Sequence, residues 1–211
     1  MSVLAINSPL ANVASATPVP SITPEEMSRL PDDGRVYELA NGHLIEKGTS
    51  DVAHLVANNL KGLLVIWSHS AKQGRSFVGA TFRCFPQAPG MVRRPNVAFI
   101  STERLAGYSW GHGHIEIVPD VAVEVVSPHD EVIELERKIQ DYHRSGVRRV
   151  WVVIPDLEIV RIHRAPGDVS ELVGDAVLAD ENVLPGFKCR LAELFALPAA
   201  PAPTTEPQSQ R

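Results

Sequence analysis

The stretch that decides the fold is residues 119–128, which read PDVAVEVVSP. From Ile117 to Val126 the chain is apolar except at Pro119, Asp120 and Glu124, with no regular polar–apolar alternation. A strand that is buried on both faces has this pattern, whereas a strand with one face in water alternates. The sequence therefore predicts a central buried strand that ends before Ser127-Pro128.

A helix and two more strands are predicted after this stretch. Residues 130–145 have the pattern of a helix, and Gly146 is placed to end it. Val150 to Ile154 is another apolar run, and Glu158 to His163 follows it across Pro155-Asp156 as a hairpin partner.

The segment before the stretch predicts a hairpin, a long helix and short strands. Val36 to Glu46 alternates around Asn41-Gly42, a strong hairpin signal. Ser50-Asp51 offers a helix N-cap, and apolar residues follow at helical spacing as far as Trp67. The order predicts a mixed α/β fold of the α+β kind, since strands and helices do not alternate regularly. The short strand-like runs are Ser76 to Thr81, Phe82 to Phe85 and Val97 to Ile100.

Composition indicates a single globular domain with tails. The chain has 211 residues, of which 44% are hydrophobic and 21% charged. Both ends are rich in proline and small residues, which predicts disordered tails over residues 1–22 and 198–211 around a domain at 23–197. No apolar run approaches the ~20 residues that span a bilayer, so we expect no contact with a membrane.

Charge and cysteine content narrow the class of protein further. The formal net charge of −5 excludes a generally basic nucleic-acid coat, although not a local basic groove. The two cysteines, Cys84 and Cys189, are too few for a disulfide framework and are interpreted as core thiols. A reducing cytoplasm is the expected location.

Glu124 is the most informative residue, because it lies in the middle of the predicted buried strand. Burial of an unpaired carboxylate is costly, so Glu124 should be paired, bound to a metal or poised for proton transfer. A buried ion pair with an arginine is the structural alternative.

Asp120 lies on the same face of the strand as Glu124, roughly 13 Å away at the rise of a strand. The two carboxylates are too far apart to share one Mg²⁺ unless the strand is bulged. A turn after Pro119 is the alternative role of Asp120.

Two other side chains are candidates to join Glu124. Asn96 opens the run Val97 to Ile100, and its amide oxygen can bind a hard cation without adding charge. Lys138 lies on the helix that follows the central strand. A helix that folds back at ~1.5 Å per residue brings it near the level of Glu124. Lys138 could there polarise a phosphate or orient water, and a solvated helix lysine is the alternative.

Several motifs together carry a family resemblance over about residues 24–197. The most specific is residues 119–128 followed by Lys138. The chain resembles the Uma family of restriction-endonuclease-like proteins, within the PD-(D/E)XK nuclease superfamily. The other matching residues are Tyr37-Glu38-Leu39, Gly42, Leu44, Glu46, His54, Arg94-Pro95, Tyr142, Gly146-Val147 and Val150-Trp151-Val152-Val153.

The resemblance implies a restriction-endonuclease-like fold, a mixed sheet flanked by helices with an N-terminal β-hairpin. It also implies an endonuclease that uses Mg²⁺ or Mn²⁺ to hydrolyse phosphodiester bonds of DNA. On this basis Glu124, Asp120 and Asn96 hold the metal, and Glu124, Lys138 and Asp120 are catalytic.

The chain departs from the family pattern at one position. Asn96 stands where the family has Asp, so the resemblance also implies weaker metal binding. The superfamily lysine normally follows the glutamate by two residues, where this chain has Val126, and Lys138 on the helix matches the family's displaced lysine. Glu38 and His54 are secondary candidates, and a structural role at the helix N-terminus is the alternative for His54.

DNA is the expected partner. A homodimer would allow both strands of a duplex to be cut. Five arginines are candidates to contact DNA phosphates: Arg93, Arg94, Arg144, Arg148 and Arg149. The alternative for each is a solvated surface arginine without a DNA contact.

Two other functions remain open. Asn96 and the negative charge favour a weakened or inactive nuclease-fold protein that binds nucleic acid or a protein. His112 and His114, in a glycine-containing loop, suggest a zinc-dependent hydrolase or binding module, with a mobile loop as the alternative.

Overall fold

The computed structural model describes residues 21–48 and 50–198. The predicted tails, 1–22 and 198–211, lie outside this part of the chain except for Ser21, Ile22 and Pro198. Within these ranges five α-helices form: α1 (Pro24–Met27), α2 (Asp51–Ala71), α3 (Thr102–Leu105), α4 (Val132–Ser145) and α5 (Leu191–Leu194). The strands are β1 (Tyr37–Ala40), β2 (His43–Glu46), β3 (Gly74–Val78), β4 (Val97–Ser101), β5 (Val121–Val125), β6 (Arg149–Ile154), β7 (Ile159–Ala165), β8 (Asp168–Leu172), β9 (Val177–Asp180) and β10 (Leu184–Arg190).

A six-stranded sheet in the order β3-β4-β5-β6-β7-β8 forms the centre of the fold. Only β5 and β6 are parallel, and the other neighbouring pairs are antiparallel. Helix α4 makes the crossover between β5 and β6, as a parallel pair requires. The mixed α+β fold expected from the sequence is confirmed.

Strand β5 is buried at all five positions because both faces of the sheet are covered. Val121, Val123 and Val125 pack into a core that includes residues of α2 and of the β9–β10 hairpin. Ala122 faces the opposite core together with Ile139 of α4. Side chains alternate along a strand, so Glu124 lies on the α4 side with Ala122.

The hairpin β1–β2 forms where Asn41-Gly42 predicts it. Both turn residues have positive φ, 52° and 77°, and they join strands in which Leu39 opposes Leu44. Leu39 exchanges backbone hydrogen bonds with Val92, and this contact places the hairpin beside the segment that leads into β4.

One predicted strand is wrong, and another is shifted. Phe82 to Phe85 does not form a strand, because Phe82 makes only isolated bridges to Arg93 and Ile115. The strand expected at Ser76 to Thr81 is β3, which begins two residues earlier and ends before Gly79, where φ is 61°. Within the described ranges, no helix is long and apolar enough to cross a membrane.

Candidate functional site

Glu124 accepts three hydrogen bonds in a buried pocket between β5, α4 and the hairpin. Its Oε2 lies 2.7 Å from Lys138 Nζ and 2.9 Å from Lys47 Nζ. The Tyr142 hydroxyl donates to Oε1 at 2.7 Å. Burial would raise the pKa of Glu124, but the two ammonium groups and the hydroxyl outweigh it and hold that pKa at about 2. Glu124 is therefore an ionised carboxylate paired with lysines, and the arginine pair considered from the sequence is not formed.

Lys138 reaches the pocket because α4 runs back along the sheet. Its Nζ bridges Glu124 Oε2 at 2.7 Å and Glu38 Oε1 at 3.0 Å. Burial alone would lower the pKa of Lys138, but these carboxylates raise it above its usual value. The structure thus contains a buried, charged lysine that is held between two carboxylates, and not a solvated helix lysine.

Lys47 is the second cation of the pocket, and the sequence patterns did not reveal it. Its Nζ lies 2.9 Å from each of three oxygens: the Arg94 carbonyl oxygen, Asn96 Oδ1 and Glu124 Oε2. Burial lowers the pKa of Lys47, although Glu124 opposes that shift. The one available signal is the two-residue period of the strand. It puts Lys47 on the same face of the hairpin as Ile45, which is the cross-strand partner of Glu38.

Asn96 joins the site through its side-chain oxygen. Oδ1 accepts from Lys47 Nζ at 2.9 Å and from the backbone N–H of Val125 at 3.0 Å. The second hydrogen bond anchors the amide to β5 beside Glu124. Asn96 and Glu124 therefore meet across Lys47, as neighbours in one cluster.

Glu38 lines the pocket and pairs with Arg93, which lines the adjoining groove. Glu38 accepts from Arg93 Nη1 at 3.1 Å and from the Arg94 backbone N–H at 2.8 Å. Arg93 also binds Glu134 and Asp141 of α4, each with a closest contact of 2.6 Å. Arg93 is only 2% exposed, so the prediction that it contacts DNA phosphate is corrected to a structural role.

Asp120 is placed apart from this cluster. Its Oδ2 accepts from the Ser101 backbone N–H at 2.7 Å, and its Oδ1 lies 3.2 Å from Arg104 Nε and 3.5 Å from Arg148 Nη1. Strand β5 keeps a regular register to β6, so no bulge brings Asp120 toward Glu124. The metal set of Glu124, Asp120 and Asn96 is not assembled, because Asp120 has its own partners.

The remaining candidate arginines fall into two groups. Arg148 lies beside Asp120, and Arg149 is paired with Asp180, so neither belongs to the Glu124 pocket. Arg94 and Arg144 remain near it. Among the described residues, Arg94 Nε has no hydrogen-bond partner, and burial lowers the pKa of Arg94.

The pocket opens as a cavity of about 340 Å³. Six carboxylates and two ammonium groups line it, so it is strongly acidic. An adjoining groove of about 670 Å³ shares Ile45 and Glu134 with it and carries Arg144. On the other side, Lys47 and Asn96 also line a small cavity that holds His54 and Arg94. The charged lining residues of the main cavity are Glu38, Glu46, Lys47, Glu124, Asp130, Glu131, Glu134 and Lys138.

Comparison with known proteins gives a family match and a structural match. Residues 24–192 match the family named Uma2, described as "Putative restriction endonuclease". The chain belongs to the Uma2 family. Its fold is also that of a crystal structure described as a putative nuclease of DUF820 from Anabaena variabilis ATCC 29413, with a TM-score of 0.70 and 18% identity over 82% of this chain and 97% of that one. No curated protein matches the chain. The family match supports a nuclease, and the structural match shows the fold.

The zinc hypothesis is not supported in this Uma2 chain. Both ring nitrogens of His114 are within hydrogen-bond distance of other groups, Nδ1 of Thr81 Oγ1 at 2.8 Å and Nε2 of the Pro24 carbonyl oxygen at 3.0 Å. Within residues 21–48 and 50–198, no three His, Cys, Asp or Glu side chains form a group that could hold a metal ion.

A hard cation would instead find oxygens of mixed type. Glu124 Oε2, Asn96 Oδ1 and the Arg94 carbonyl oxygen converge on one point, where Lys47 Nζ now stands. Carboxylate, amide and carbonyl oxygens are the ligands that Mg²⁺ and Ca²⁺ accept. The oxygens of these three residues are therefore of types that bind a divalent cation, and Glu124 supplies the only carboxylate among them. The Lys47 ammonium group occupies the position that such an ion would take.

Proposed function

We propose that this Uma2 chain is an endonuclease that hydrolyses phosphodiester bonds of DNA and uses Mg²⁺ or Mn²⁺ in the Glu124 pocket. The observation that carries the proposal is the buried Lys138–Glu124 pair at 2.7 Å, open to a cavity in a nuclease-like fold. A carboxylate for a metal beside a cation for the phosphate is what hydrolysis of a phosphodiester needs.

The metal would be held by Glu124, Asn96 and the carbonyl oxygen of Arg94. When bound, such an ion lowers the pKa of a water molecule and offsets negative charge on the phosphate. Lys138 stays protonated because Glu124 and Glu38 raise its pKa, so it can stabilise charge that develops on the phosphoryl oxygens. Tyr142 and Glu38 act as positioning residues, since they hold Glu124 and Lys138 in place.

The acidic lining of the cavity supports a requirement for a divalent ion. A phosphodiester would be repelled by the carboxylates around Glu124 unless a cation lay between them. Arg94 and Arg144, on either side of the pocket, are the proposed contacts for DNA phosphates outside it.

One pocket cuts one strand, so we also propose that two copies of the chain act on a duplex. The buried free thiols Cys84 and Cys189 suit a reducing cytoplasm.

Nicking of a supercoiled plasmid in Mn²⁺ or Mg²⁺ tests the proposal. Wild type should nick the plasmid, Glu124→Gln should not, and Glu171→Gln, on exposed β8, should match wild type. EDTA should abolish nicking. Equal nicking by wild type and Glu124→Gln, or no nicking by any variant including Asn96→Asp, would overturn it.

A second function, a weakened nuclease that binds DNA without cutting it, is favoured by Asn96. Its amide contributes no charge toward a cation, in contrast to an aspartate. In that case wild type would bind a labelled duplex in EDTA without cleaving it, and Asn96→Asp would gain nicking in Mn²⁺. Fluorescence anisotropy of the duplex, beside the nicking assay, separates the two functions.

A further inference from the structure

We infer that Lys47 is the resident cation of the Glu124 pocket and that a divalent ion binds there only by displacing the Lys47 ammonium group. The inference rests on the proposed divalent cation but not on DNA cleavage. It assigns to Lys47 the control of cation entry, which none of the sequence motifs indicated.

The coordination of Lys47 is the first reason. An ammonium group has three N–H donors, and Nζ has three oxygen neighbours at 2.9 Å, so each donor is matched by one acceptor. The acceptors are of three kinds, a carbonyl, an amide and a carboxylate oxygen, and they come from two segments of the chain. They would be the ligands of an ion at this point as well.

The second reason is that these oxygens cannot serve both cations at once. A magnesium ion binds oxygen at about 2.1 Å, so an ion on the same three atoms would lie within contact distance of Nζ. The two positive charges would repel each other strongly in a pocket where Glu124 is already shared with Lys138. Occupation by the ion and occupation by Lys47 are therefore mutually exclusive.

The third reason is that Lys47 has a route out. Its backbone N–H donates to the Val36 carbonyl oxygen at 2.7 Å, so the hairpin holds the main chain in place. Its side chain is 14% exposed and lines two cavities, so the ammonium group reaches solvent by rotation of its flexible stem. Exposed Glu46, the preceding residue, offers a carboxylate on the solvent side.

Binding of Mn²⁺ to the protein alone, followed by electron paramagnetic resonance of the free ion, tests the inference without DNA. Lys47→Met keeps the apolar stem and removes the charge, and it should bind Mn²⁺ at least tenfold more tightly than wild type. Lys188→Met, on the exposed side of β10, should match wild type. Glu124→Gln in the Lys47→Met background should lose the gain. Equal affinity of Lys47→Met and Lys188→Met would overturn the inference.

A second test uses wild-type protein, so its result does not depend on whether a variant folds. Acetylation of Lys47, measured by mass spectrometry, should be slow without metal and should accelerate severalfold with saturating Mg²⁺, while acetylation of Lys188 stays constant. Unchanged Lys47 labelling on Mg²⁺ binding would contradict displacement. Failure of plasmid nicking, in contrast, would affect the proposed nuclease function and leave both of these results interpretable.

Discussion

Replacement of Arg93 by methionine should destabilise the fold strongly, because this residue joins the hairpin to α4. Arg93 is 2% exposed and pairs with Glu38, Glu134 and Asp141. Removal of one partner from a buried ion pair costs about 3–5 kcal/mol, since the remaining charge stays buried without compensation. We expect the lower end, about 3 kcal/mol, because Glu38 remains paired with Lys138 and the other two carboxylates, Glu134 and Asp141, are partly exposed.

Urea denaturation followed by tryptophan fluorescence measures this loss, with Trp151 in the core as a reporter. A loss of about 3 kcal/mol corresponds to a fall in Tm of roughly 6–12 °C for a domain of this size. Arg137→Met is the matched control, because Arg137 pairs with the same Glu134 at 3.6 Å but is 67% exposed. An exposed pair contributes about 0–1 kcal/mol. A loss for Arg93→Met as small as that for Arg137→Met would refute the structural role of Arg93.

Two further predictions concern buried groups. Tyr142→Phe removes the hydroxyl that donates to Glu124. A hydrogen bond to a charged group contributes about 1.5–3 kcal/mol, so the free energy of unfolding in urea should fall by that amount. An unchanged value would show that the hydroxyl does not hold the carboxylate. Burial raises the pKa of both Cys84 and Cys189 to about 12, so at pH 8 the thiols stay protonated and native protein should not react with Ellman's reagent. Protein unfolded in guanidinium chloride should release two equivalents, and rapid reaction of either native thiol would contradict its burial.

The parts of the fold that the sequence predicted are those encoded by local signals. Three of these signals depend on neighbouring residues alone: the run of β5, which is apolar except at Glu124, the Asn41-Gly42 turn, and the helix end at Gly146, where φ is 95°. Phe82 to Phe85 has strand-like composition but finds no strand to pair with along its length. Strand formation depends on distant partners, so composition could not decide this case.

The sequence predicted the position of a residue relative to Glu124 where the rise of a single helix or strand set the distance between them. The rise of α4 was enough to bring Lys138 to Glu124, and the rise of a strand was enough to set Asp120 apart from it. Lys47 could not be found in this way, because it is 77 residues from Glu124 in sequence and reaches it only through the docking of the hairpin. Arg93 was misassigned for a related reason: its carboxylate partners come from β1 and α4, which local sequence does not connect.

Two carboxylates, one in β5 and one just before its first residue, give the most direct test of the account. Glu124 lies in the proposed active pocket, whereas Asp120 is bound to Ser101, Arg104 and Arg148 outside it. Plasmid nicking in Mn²⁺ should therefore fall to background in Glu124→Gln and persist in Asp120→Asn, with circular dichroism to verify that both variants are folded. Nicking that survives in Glu124→Gln, or that is lost in folded Asp120→Asn, would contradict the assignment of the active site to the Glu124 pocket.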